Sequence, residues 1–214
     1  MRTLLLLILS LTAQTLRADE WWAWSMLEFY RQPPWNAGLF LGNRADTEDG
    51  SYVQIVSPRV KYAAMSWLDL GVGLSVLSIE NPNTHFRYEQ LRPELEINPK
   101  FDLTKSLRLE WRNRMEWRKN ENAAFSTHRS RHRVQLGWTL PKPLGPLTRI
   151  FASNEWLIDL HRGQQTENRL VPLGITFKLS DTADLDCFYM IDSIRNNAAW
   201  KQESVLGTYR RLRF

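Results

Sequence analysis

Residues 106–119 read "SLRLEWRNRMEWRK". They place Leu107, Leu109, Trp111, Met115 and Trp117 at odd positions and Arg108, Glu110, Arg112, Arg114, Glu116 and Arg118 at even ones. The period is two. Wound as a helix at about 100° per residue, the apolar positions would scatter around the axis, whereas an extended chain collects them on one face. The stretch predicts a β-strand with one apolar and one charged face. Comparable alternation, punctuated by polar or proline-bearing turns, predicts strands near 35–43, 51–64, 68–79, 85–98, 105–118, 127–140, 148–159, 168–179, 183–193 and 201–214. That makes about ten antiparallel strands, with twelve as the alternative count. Residues 19–31, "DEWWAWSMLEFYR", stay outside the set. An eleventh strand would put the two chain ends on opposite sides, which single-chain bacterial barrels avoid.

The connections fall into two alternating kinds. "RQPPW", "SWLD", "NPKFDLT", "PKPLGP" and "SDTAD" are compact, while "NRADTEDG", "ENPNTH", "NENAAFST", "HRGQQTEN" and "RNNAAW" are looser and more polar. Short turns on one side and longer loops on the other are the habit of bacterial transmembrane barrels.

Alternation alone does not say which face meets water, since a soluble lipid-binding barrel shows the same period with its faces exchanged. Three features favour the membrane arrangement. The chain ends on Phe214 with Leu212 two residues before it, which resembles the terminal signal for outer-membrane barrel assembly, although Arg210 departs from it. Ten tryptophans are present, a residue that favours the headgroup level of a bilayer. The charges also form ladders: Arg92, Glu94 and Glu96 precede the opening strand, Arg129, Arg131 and Arg133 follow it, and Glu155 lies beyond. Opposite charges on one face support strand pairing, and a narrow lumen needs them because unpaired charge away from bulk water is costly.

Composition adds the compartment. Met1-Arg2-Thr3 followed by "LLLLILSLTAQTL" is a positive start and an apolar run too short to span a bilayer, the pattern of a secretory signal peptide. Cleavage is expected after Ala18, with Ala13 as the second choice, leaving residues 19–214 as one domain. Removing residues 1–18 takes away Arg2 and Arg17 and none of the 23 acidic residues, so the net charge of +5 shrinks to a mild excess. The arginines are interleaved with glutamates and form no basic patch, which sets nucleic acid aside. No later segment reaches the roughly 20 apolar residues of a transmembrane helix, and Cys187 is the only cysteine, so no internal disulfide can form.

Six stretches carry a resemblance: "YEQLRPELEI" (88–97), "SLRLEWRNRMEWR" (106–118), "RSRHRVQLGW" (129–138), "IFASNEWLIDL" (150–160), "NRLVPLGITFKLSDTADLDCFYM" (168–190) and "GTYRRLRF" (207–214). Together they resemble a family of Gram-negative outer-membrane barrels known only as domain-of-unknown-function family 2490. The resemblance runs from about Trp21 to Phe214 and implies architecture and location. It carries no catalytic residues.

The sharpest enzymatic candidate is His128-x-Ser130, within "STHRSRH". Outer-membrane lipid-ester hydrolases bear a similar pair at the outer rim, where histidine activates serine. Here the surrounding motif is missing and no acid or amide can be assigned to the histidine, so a polar strand end in the headgroup layer is the preferred reading. His128 and His132 stand four apart, a spacing that suits metal binding on a helix rather than on a strand. The ladder of Arg92, Glu94, Glu96, Arg108, Glu110, Arg112, Arg114, Glu116, Arg129, Arg131, Arg133 and Glu155 admits two uses. It could line an anion-selective pore or brace a lumen too narrow to conduct. The second is preferred, because barrels of about eight strands are filled by side chains and wide channels come at sixteen or more. The expectation is a non-enzymatic outer-membrane barrel with a structural role or limited passage or binding of small anions. Its partners are outer-membrane lipid and the barrel-assembly machinery, with no cofactor and no metal.

Overall fold

The computed structural model describes residues 18–47, 50–81, 84–121, 123–196 and 199–214. The expected leader lies outside these residues except for Ala18, as do parts of four of the looser loops.

Among the described residues eleven strands close into one barrel: β1 (Glu20–Gln32), β2 (Trp35–Asp46), β3 (Gly50–Met65), β4 (Leu68–Glu80), β5 (Arg87–Asp102), β6 (Leu107–Asn120), β7 (Thr127–Leu144), β8 (Leu147–Asp159), β9 (Gln164–Lys178), β10 (Ala183–Asn196) and β11 (Ala199–Arg213). Strands β2 to β11 correspond to the ten expected from alternation. β1 is the addition, formed by the segment that alternation leaves outside the set. Its pairing explains how an odd count closes: β1 runs antiparallel to β2 but parallel to β11, in register from Glu20↔Val205 to Glu28↔Arg213. The rule that both ends share a side holds for rings closed wholly by antiparallel pairs, and this ring is not one. Alternation could not reveal β1 because both of its faces are apolar. Trp22, Trp24 and Met26 point inward, while Trp21, Leu27 and Phe29 point outward.

The short turns between β1–β2, β3–β4, β5–β6, β7–β8 and β9–β10 gather on one rim with Phe214, and the remaining connections form the other rim. These are called the turn rim and the loop rim. Along β5 to β7 the inner positions are largely charged, on β3 and β4 they mix apolar, small and charged residues, and Val56, Val72, Leu74, Val76, Leu91, Leu95, Ile97 and Leu136 are exposed on the outside. A water-soluble barrel has the opposite arrangement. Outward aromatics mark both rims. Trp35 packs at a tilt against Tyr62, ring centres 4.7 Å apart, and Trp67 stacks on Phe101 at 6.5 Å at the turn rim, and Trp21, Trp117 and Trp200 lie toward the loop rim.

One irregularity sets the inward phase of β9. Phe151 pairs with Gly174, but Ser153 pairs with Val171, so Pro172 and Leu173 together oppose Ala152. Both bulged residues face out and are exposed. Proline fits there because it has no N–H to give the ladder. Before the bulge, odd residues Glu167, Arg169 and Val171 face the lumen; after it, even residues Gly174 and Thr176 do.

Candidate functional site

The lumen divides into a sealed loop-side half and a cavity on the turn side. At the centre of the seal is Glu116, with no exposed surface. It meets Arg129 at 2.8 Å, Arg131 at 3.0 Å, and Arg92 and Arg114 at 3.8 Å. An isolated buried carboxylate would cost several kcal/mol, and only such close multiple pairing offsets that. Glu94 accepts from Arg59 at 3.0 Å and from Ser75 at 2.8 Å, and pairs with Arg114 at 3.1 Å. Arg59 reaches it from β3 across an intervening strand because Gly73, their common ladder neighbour, leaves that space empty. Glu96 binds Arg114 and lies 3.4 Å from Arg59.

The seal continues around the ring. Glu155 holds Arg131 at 2.9 Å and Arg112 at 2.6 Å, while Arg169 bonds Glu167 and approaches Asp192 at 3.4 Å. Trp22 lies between two guanidinium groups, Arg44 at 3.9 Å and Arg169 at 4.7 Å from its ring centre, and donates its indole N–H to Glu20 at 2.5 Å. Leu77, Leu157 and Val205 fill the remaining space with little or no exposure.

Toward the turn rim lies a cavity of about 480 Å³, whose lining cations outnumber carboxylates roughly two to one. Its outer part reaches the half-exposed pairs Lys100–Asp69, at 2.7 Å, and Arg149–Glu110, at 3.3 Å. On the β3–β7 side the wall is basic. On the other side an aromatic surface is set among charged groups that include Arg149, Asp186 and Arg211, and a ladder row explains its shape: Gly207, Phe188, Gly174, Phe151 and Gly137 are successive register partners across β11, β10, β9, β8 and β7. The Phe188 ring covers Gly207 and the Phe151 ring covers Gly174 so closely that a Cβ at either glycine would sit 2.1–2.2 Å from ring carbon. Alternating large and small residues lets the rings lie flat against the wall. Trp24, Phe40 and Tyr209 extend this surface, with ring centres 5.6 Å (Trp24–Phe188), 6.4 Å (Trp24–Phe40) and 6.5 Å (Phe40–Tyr209) apart.

The residues of the expected ladder therefore separate. Arg92, Glu94, Glu96, Arg114, Glu116, Arg129, Arg131 and Glu155 come together as buried groups of the ion-pair network, some of them also bordering the cavity. Arg112, Arg133 and Glu110 line the cavity, and Arg108 pairs with Asp102 at 2.6 Å near the rim. Sequence reasoning missed Arg44, Arg59, Lys61, Glu167, Arg169 and Asp192, together with the aromatic wall. Arg59 and Lys61 were hard to find because their face also carries Val53, Ile55 and Ser57, and the phase of Arg169 is hidden by the bulge.

His128 and Ser130 point outward. The His128 ring meets Trp117 edge-on at 6.5 Å, and Ser130 lies between Met115 and Ile158 in the outer ladder. Among the described residues no hydrogen bond joins the two side chains. His132 Nδ1 lies 2.8 Å from Asn113 Oδ1. Leu212 faces out, and the exposed Phe214 donates its backbone N–H to the Glu28 carbonyl at 3.0 Å. No group of three or more His, Cys, Asp or Glu among the described residues is placed to hold a metal.

A closed barrel with an apolar outer face and a charged lumen defines the outer-membrane type of fold. A solved structure with that fold, described as a bacterial polysaccharide outer membrane secretin, matches with a TM-score of 0.53 at 10% identity, covering 81% of this chain and 63% of that one. An anion-selective porin from Comamonas acidovorans matches with a TM-score of 0.42 at 10% identity, covering 86% of this chain and 55% of that one. The chain thus spans less than two thirds of either structure. Among curated protein sequences none matches it. The family described as "Protein of unknown function (DUF2490)" matches over residues 20–203, and the chain belongs to that family.

Proposed function

We propose that this protein is an integral outer-membrane barrel whose lumen is a blind, cationic vestibule that binds small anions entering from the turn rim. The observation that carries this reading is the contrast within the lumen: the loop side is filled by a dense buried ion-pair network and apolar side chains, while an open cavity on the turn side keeps an excess of cations along its lining. The exposed apolar outer face and the aromatics at both rims support membrane insertion, since outer-membrane barrels carry an apolar band between aromatic girdles. In that orientation the turns, and so the mouth of the vestibule, face the periplasm. Residues 1–18 serve as the export leader, and Leu212 and Phe214 as the assembly signal.

Planar-bilayer recording tests the blind end. The purified barrel should insert without steady open steps, and stable anion-selective steps in the wild type would overturn the reading. Heat-modifiable gel mobility and recovery in the outer-membrane fraction test insertion, and a freely soluble periplasmic product would refute it. Mass spectrometry of the mature N-terminus should find Asp19 first.

A further inference from the structure

The cavity has two chemically different walls, and their pairing specifies more than charge. On the basic wall Arg112 and Arg133 are direct register partners, two like charges side by side. Such a pair is unfavourable unless an anion is shared between them. Arg112 has Glu155 at 2.6 Å, but its Nε is buried without a partner. Among the described residues Arg133 and Lys61 have no carboxylate within 4.0 Å, and Lys61 lies within electrostatic reach of Glu96 and of both arginines. Glu155 is the ladder partner of Arg133 on β8, but its oxygens are turned to Arg112 and Arg131 and no ion pair with Arg133 forms within 4.0 Å. These three cations form an acid-binding corner.

Opposite them stand Phe188, Tyr209, Phe40 and Trp24, and the two walls meet where the Arg59 guanidinium lies 4.8 Å from the Phe40 ring centre. The Trp24 indole N–H is also buried without a partner and lines the cavity. A strongly hydrated inorganic ion would leave this aromatic surface unused, and a neutral apolar molecule would leave the cations uncompensated. The volume of about 480 Å³ falls in the range of sites for one small organic molecule.

Resting on the reading of the lumen as an anion vestibule, we propose that its ligand class is an organic anion with an aromatic or alkyl body. Its acid group sits on Lys61, Arg112 and Arg133, and its body lies against Phe188, Tyr209 and Trp24. A hydrogen bond from a charged donor to such a ligand is commonly worth tenfold or more in affinity.

Titration calorimetry of the intact mature barrel in a non-ionic detergent tests this with three probes: 1-naphthoate, inorganic phosphate and neutral 1-naphthamide. Naphthoate should bind saturably at one per barrel, with phosphate and naphthamide at least about tenfold weaker. Arg133→Gln should weaken naphthoate by about tenfold and leave heat-modifiable mobility unchanged. Tyr209→Leu should weaken naphthoate while leaving phosphate unaffected. Phosphate binding as tight as naphthoate would overturn this inference and leave the anion vestibule standing. Equal binding of naphthoate and naphthamide, or indifference to both Arg133→Gln and Lys61→Met, would overturn the acid-binding corner. Failure of the wild type to bind any anion would overturn the vestibule reading itself.

Discussion

Arg114 and Arg131 face each other across the β6–β7 ladder, and one rung pair nearer the turns Arg112 and Arg133 do the same. The surroundings of the two pairs differ. Arg114 and Arg131 are enclosed by Glu94, Glu96, Glu116 and Glu155, whereas Arg112 and Arg133 have only Glu155, held by Arg112. Like-charge neighbours are thus tolerated in two ways, by surrounding carboxylates on the loop side and by an open cavity on the turn side. The first makes a brace. The second leaves a binding surface.

The comparison breaks most directly at Glu116. Glu116→Gln removes the charge shared by four arginines and should cost about 3–5 kcal/mol, the usual cost of leaving buried charges uncompensated. The midpoint of urea unfolding in lipid vesicles measures it. A loss under about 1 kcal/mol would mean that the loop-side network is not holding the barrel. A smaller effect is expected from Gly207→Ala, whose new methyl must displace the Phe188 ring, costing about 1–3 kcal/mol by overpacking. The same assay reads it, and naphthoate affinity should fall with it because the aromatic wall moves.

Two further substitutions sharpen the turn-side half of the comparison. Neutralising the half-exposed Arg149–Glu110 pair with Glu110→Gln should change stability by about 0–1 kcal/mol, and the change should shrink in high salt. Urea unfolding at two salt concentrations checks this. Arg133→Gln should leave stability within about 0.5 kcal/mol of wild type, since no carboxylate loses a partner. Were Arg133→Gln as damaging as Glu116→Gln, the two halves would be one network and the distinction would fall.

Much of this architecture was legible in the sequence because one face of β5 to β7 carries the charges and the other is exposed and apolar. Where that contrast is strong, as in "SLRLEWRNRMEWRK", strand and facing could both be read. It failed where chemistry does not alternate. β1 is apolar on both faces, so Trp22, Trp24 and Met26 gave no sign of pointing inward. The bulge at Pro172 shifts the phase of β9, so a strict count of two from Arg169 would turn Thr176 to the outside. The site was harder to read than the fold. The Arg and Glu ladder was visible as a set, but which arginines are neutralised depends on contacts between strands far apart in sequence, such as Arg59 with Glu94. The Gly207–Phe188–Gly174–Phe151–Gly137 row likewise appears only when five strands are laid side by side.

The parallel rung between β1 and β11 has a further consequence for biogenesis. With an odd number of crossings, Asp19 stands at the loop rim and Phe214 at the turn rim. Across an outer membrane, these two ends belong to different compartments. In the proposed membrane orientation, a leader removed on the periplasmic side would leave the new amino terminus on the side opposite its final position, and β1 would have to be carried across the bilayer as the ring shuts. An epitope inserted beside Asp19 would then be reached by antibody on intact cells only after closure, which makes surface labelling a clock for the last step of assembly.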